Sequence, residues 1–201
     1  MTLYEEFNVE TYPTSRTEVH ILPPSGTWTV EQVKSIAKSI IYYEFSFGNI
    51  FPIPESRHNS CIKNSLSDMF SGKSPSQIFS VIDDASTVDK VARDMCGASS
   101  FCSWDFPQVN PKDPENPDLK FLKFRQPRGV YIFDDLQSFI GITVAFVEAA
   151  ALKGGKLKPK SEFHLEDNMR RFRRFLLQGA ASADVHPDMI FRTGWVWASQ
   201  R

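Results

Sequence analysis

The chain has 201 residues, enough for one large domain or for one domain with a small appendage. It is 41% hydrophobic with 17 phenylalanines, so a real core is expected, dominated by aromatic rings. A net charge of −1 excludes a general electrostatic pull toward nucleic acid or acidic lipid.

The first residues, Met-Thr-Leu-Tyr-Glu-Glu-Phe, lack the basic and apolar regions of a secretory signal. Residues 1–16 read as an irregular arm or an edge strand. Glu18-Val-His-Ile-Leu22 alternates and reads as a strand closed by Pro23-Pro24. Thr29 and Gln32 make a capping box. Val33, Ile36, Ala37, Ile40 and Ile41 then recur at helical spacing, predicting a helix over 30–46. Phe51-Pro-Ile-Pro54 breaks the chain, and a polar stretch follows. Ser74-Pro75 opens a short helix to Ile82, and a second covers 87–95, stopped by Gly97. Residues 100–106 and 119–125 read as strands, joined across the proline-rich surface loop 109–118.

Asp134 or Asp135 caps a helix over 136–152 that is apolar on nearly every face. Its apolar part, Phe139 to Leu152, is short for a membrane span and contains Glu148, so no membrane partner is expected. Lys153 to Lys160 is a basic linker. A charged helix over 162–178 puts Phe163, Met169, Phe172, Phe175 and Leu176 inward, with Gly179 ending it. The tail with Trp195 and Trp197 is expected to pack back on the body. Cys61, Cys96 and Cys102 have no metal-like spacing. They read as reduced thiols of a cytoplasmic protein, a Cys96–Cys102 bridge being the less favoured alternative.

Several side chains could carry chemistry. Arg125 at a strand end could grip a phosphate or carboxylate with two parallel hydrogen bonds, or form a structural ion pair with a nearby acid. Gln126 could hold substrate or cap the strand, and Arg128 follows in the same turn. Glu18 and His20 fall on one face of a strand, as a metal or acid–base pair or as a surface ion pair. Glu44 is either a ligand or a solvated helix terminus. Arg57, His58 and Asn59 form a donor cluster suited to an anion, or a loop held by amide hydrogen bonds. Arg170, Arg171, Arg173 and Arg174 read as a solvated face, with Glu166 and Asp167 at pairing distance along the helix. No glycine-rich phosphate loop, metal-spaced Cys/His set or nucleophile elbow is present.

The order of these motifs resembles a family. His20 on its strand is followed by Trp28-Thr-Val-Glu-Gln-Val-Lys-Ser-Ile-Ala-Lys-Ser-Ile-Ile-Tyr-Tyr-Glu44, then Arg57-His-Asn59 and Trp104. Lys123-Phe-Arg-Gln-Pro-Arg-Gly129 and a long apolar helix complete it. This order, over roughly residues 17–152, resembles the putative amidoligases of fungal type, carboxylate–amine ligases related to glutamine synthetase. The resemblance implies an α+β fold with a curved, mainly antiparallel sheet and helices on one side. It places that domain at 1–152, with 153–201 packing on it. It implies ATP- and Mg²⁺-dependent joining of a small carboxylate to an amine. His20 matches the second His of the family's His-x-His strand and would serve metal or nucleotide. Arg57 and Asn59 match the loop pair that would meet phosphate. Arg125 and Gln126 match the strand's Arg-Gln and would neutralise phosphoryl charge. The sequence departs from the pattern in three places. Glu18 stands at the first His position and Lys123 at that of a strand Glu. Glu5, Glu6 and Glu10 are poor stand-ins for an acidic first strand. Two alternatives follow: a non-catalytic binding relative without metal and ATP, or an enzyme using Glu18 and His20 as acid and base.

Overall fold

A computed structural model of the chain describes residues 17–23, 26–51, 63–97, 102–106, 121–125, 133–159 and 165–191. Three short strands, β1 (Val19–Ile21), β2 (Trp104–Asp105) and β3 (Leu122–Phe124), form an antiparallel sheet in the order β1-β3-β2. Val19 lies opposite Phe124, and Trp104 opposite the same Phe124 from the other side. Cross-strand partners share a face, so Val19, Leu122, Phe124 and Trp104 form one buried apolar surface. Glu18, His20, Lys123, Arg125 and Asp105 fall by alternation on the other.

Helix α1 (Val30–Ile50) covers the apolar surface. It starts where the capping box predicts, with Gln32 N–H donating to Thr29 Oγ1 and Thr29 N–H to Gln32 Oε1. It continues a turn beyond the expected end at 46. Phe47 and Ile50 are buried, and their burial favours the extra turn. Phe47 is a hub: its ring centroid lies 5.4 Å from Trp104, 5.2 Å from Phe124, 4.7 Å from Phe146 and 5.0 Å from Phe172. One side chain thus joins sheet and helices. Helix α2 (Pro75–Asp84) begins at the expected cap, Ser74, and α3 (Val88–Cys96) is capped by Thr87, one residue after its expected start; both pack on α1.

Helix α4 (Phe133–Lys153) packs against α1 and against α5 (Leu165–Ser182), with the short α6 (Pro187–Phe191) beside it. Moving along α1 from Tyr43 to Phe51, ring partners on α4 descend from Phe146 to Phe139, so the two helices run antiparallel. Residues 134–156 are apolar and long enough, by length and composition, to cross a membrane, but in this fold α4 packs on three other helices.

Two expectations are corrected here. Gly179 does not end α5, which continues to Ser182; a Cβ at 179 would strike the carbonyl oxygen of Ala145 on α4. The glycine sets how closely two helices meet. The start of the basic linker is likewise not a free tether. Gly154–Lys156 form a 3-10 turn, and a Cβ on Gly154 would strike the carbonyl oxygen of Ser35 on α1. The architecture is α+β with a small sheet and helices on its apolar side. The arm 1–16, the loop 109–118 and the tail tryptophans lie outside the described residues.

Candidate functional site

The polar face of the sheet gathers three of the candidate residues, Glu18, His20 and Arg125. Strand pairing places Glu18 beside the end of β3, and Arg125 Nε lies 3.1 Å from Glu18 Oε1. The same guanidinium reaches the other way, with Nη2 2.8 Å from Asp105 Oδ2 on β2. Arg125 therefore spans all three strands, and its own backbone N–H donates to Ser103 O at 2.9 Å. Its side chain is only 14% exposed, which strengthens both pairs relative to open surface bridges.

His20 extends this face outward. Its Nε2 lies 3.2 Å from Glu18 Oε2, and its ring stacks on Phe121 with centroids 4.8 Å apart and planes 5° from parallel. Lys123 sits between His20 and Asp105 as the cross-strand partner of both, its Nζ 5.3 Å from the Phe121 ring centroid. Partial burial raises the Glu18 carboxyl. The His20 hydrogen bond and the charges of Arg125 and Lys123 outweigh it, so the carboxyl is held below its ordinary value. Glu18 is a carboxylate at neutral pH and can accept a hydrogen bond from the His20 ring N–H, holding the ring in one orientation.

Glu44 has a different setting. It lines an open cavity of about 370 Å³ between α1, the 63–66 turn and the start of α2, together with Ile41, Lys63, Leu66 and Lys73. Ser65 donates to its carboxylate through both N–H (3.1 Å) and hydroxyl. Burial raises its carboxyl above the ordinary value, against the pull of Ser65 and Lys63. Of the two readings, ligand or solvated terminus, the second is corrected: Glu44 caps a short 3-10 turn (Asn64–Leu66) from inside.

His20 and Glu44 were both expected as metal ligands. His20 contacts Glu18 and Phe121, while Glu44 contacts Ser65. Among the described residues, no three His, Cys, Asp or Glu side chains gather as a metal site. Arg57, Asn59, Gln126 and Arg128, the expected phosphate contacts, lie outside the described residues. The residue missed from sequence was Asp105. Its signal was its place next to Trp104: once Trp104 turns inward, alternation turns Asp105 outward, toward Arg125.

Compared with family models, with curated proteins and with solved structures, the chain matches none.

Proposed function

We propose that the polar face of the sheet is part of the site of an amidoligase-like carboxylate–amine ligase acting on a small-molecule substrate, within a glutamine-synthetase-like fold. The observation that carries this reading is the antiparallel pairing of β1 with β3. It gathers Glu18, His20, Lys123 and Arg125, two of them the matched His and Arg of the resemblance, on one sheet face.

In such a reaction a substrate carboxylate oxygen attacks the terminal phosphorus of ATP, and ADP leaves with the P–O bonding pair. The amine nitrogen then attacks the acyl phosphate carbon, inorganic phosphate leaves, and the nitrogen loses a proton. Arg125 and Lys123 would offset charge on the transferring phosphoryl group. His20, oriented by Glu18, would take the amine proton. The described residues do not compose a Mg²⁺ cage, since no three candidate ligands gather and Lys123 brings a cation to the face.

The test is calorimetric titration of the purified chain with ATP, with and without Mg²⁺, for wild type and Arg125→Ala. Micromolar binding that weakens at least tenfold in Arg125→Ala supports the reading. No binding at millimolar nucleotide overturns it. A second reading, a non-catalytic binding relative, is favoured by one feature: Arg125 is already held by two carboxylates. Binding of a small carboxylate or amine from a panel, with no nucleotide binding and no ADP release, would select it.

A further inference from the structure

The open cavity of about 370 Å³ beside Glu44 has no part in the proposed reaction, and no strand residue lines it. Its size falls in the range of small-molecule sites, roughly 300–1,000 Å³. Ile41, Phe70 and Ile78 line it and are buried. Two further apolar side chains of its lining stand open to solvent. Phe45 is 45% exposed and Leu66 63%, two of the six large apolar side chains that are exposed among the described residues. Apolar surface left open around a concavity, with polar groups beside it, marks a surface that a ligand covers.

The charge around the cavity is one-sided. Lys63 and Lys73 both line it, and neither is ion-paired among the described residues. Helix α2 also begins here, with Pro75 in the lining and no acid in its first turn. The dipole at that helix end adds positive potential to that of the two lysines. Glu44 is the one acid among the lining residues, and it is already engaged. Ser65 donates to it through both N–H and hydroxyl. Burial also draws its carboxyl toward the protonated form, which lessens its repulsion of an anion.

We propose that this cavity binds a small amphipathic carboxylate, its charge on Lys63 and Lys73 and its hydrocarbon body against Ile41, Phe45, Leu66 and Ile78. Both halves of the ligand follow from the two halves of the lining. A short anion such as acetate leaves Phe45 and Leu66 uncovered, and a hydrocarbon cation meets two lysines. Covering the apolar residues makes affinity grow with chain length until the cavity is full. The lysines are exposed, so their attraction for the carboxylate is screened by salt. The inference is independent of the ligase reading, which concerns the sheet's polar face.

The test is calorimetric titration of the full chain with sodium octanoate, with acetate, octanol and octylamine as comparators. The expected result is saturable binding of octanoate, weaker binding of octanol, and none of acetate or octylamine. Octanoate affinity should fall as sodium chloride is added. Reversing the exposed lysines leaves the core untouched, and Lys63→Glu combined with Lys73→Glu should weaken octanoate about tenfold. Arg125→Ala should leave octanoate binding unchanged, so failure here and failure of the ligase reading are read from different variants. The proposal is overturned if octanoate does not saturate, if octylamine binds as tightly, or if the double variant binds octanoate as the wild type does. It is also overturned if Arg125→Ala weakens octanoate as much as the lysine pair does. The comparators on wild type decide the matter even if the double variant does not fold.

Discussion

The same three strands present two faces that obey different physics. On the inner face Val19, Leu122, Phe124 and Trp104 meet Phe47 and the helices behind it, and every one is buried. On the outer face Glu18, His20, Lys123, Arg125 and Asp105 meet one another and solvent. The inner face is held by area, which responds little to pH or salt. The outer face is held by charge, which responds to both. A small sheet can carry a charged surface because its stability comes from the opposite side.

The sharpest way to break the contrast is at Phe47. Phe47→Ala removes one ring from contact with five others, Phe51 included, and leaves a cavity at the junction of sheet and helices. A loss of about 3–5 kcal/mol is expected by denaturant unfolding, with little change between low and high salt. A smaller loss, about 1–3 kcal/mol, is expected for Gly179→Ala, because the added methyl meets a backbone carbonyl that cannot rotate away. A neutral result at Gly179 would mean that α4 and α5 are less closely apposed than described.

The inner face was largely legible in the sequence and the outer face was not, for the same physical reason. Helix starts announce themselves locally, and Thr29 and Ser74 cap α1 and α2 as their side chains predict. Strand alternation around Val19 put Glu18 and His20 on one face before any pairing was known. What the sequence could not show was which acids Arg125 would meet, since that depends on strand order. Asp105 is 20 residues away in sequence and became a partner only because β2 borders β3. Gly179 misled for a related reason. A glycine that ends a helix and a glycine that admits a neighbouring helix look alike until the neighbour is placed. The role of Glu44 followed the same rule, because its partner Ser65 belongs to a turn across the break at Pro52–Pro54.

Removing Arg125 probes the outer face directly. Arg125→Ala leaves Glu18 and Asp105 as facing carboxylates without the cation between them. With the guanidinium only 14% exposed, a loss of about 1–2 kcal/mol is expected, between the values for open and fully buried pairs. Unlike Phe47→Ala, this loss should shrink as pH falls and Glu18 protonates. A loss that does not change with pH would show the side chain acting by packing alone.

The smallest effects give the finest test, because two acids are shifted in opposite directions. Glu18 is held below its ordinary value by His20, Arg125 and Lys123 despite partial burial. Its contribution is present above the unfolded carboxyl pKa and is lost as pH falls through the lower folded one. Thermal melts of wild type and Glu18→Gln should therefore differ most near neutral pH, by under about 1 kcal/mol, and converge on acidification. Burial raises Glu44, so the folded state binds its proton more tightly than the unfolded state does. Ionising it costs stability as pH rises through the unfolded pKa, and that cost is relieved as pH falls. Wild type should accordingly gain on Glu44→Gln as the solution is acidified, while it loses its advantage over Glu18→Gln. The amide at 44 keeps one oxygen for Ser65, so the comparison isolates charge from hydrogen bonding. A flat Glu44→Gln curve would show that the carboxyl in the 370 Å³ cavity is solvated like an ordinary surface acid, and a slope of the same sign as that of Glu18 would show that Ser65 and Lys63 outweigh burial. Opposite slopes would separate a charge kept ionised for its partners from one kept near its proton by burial.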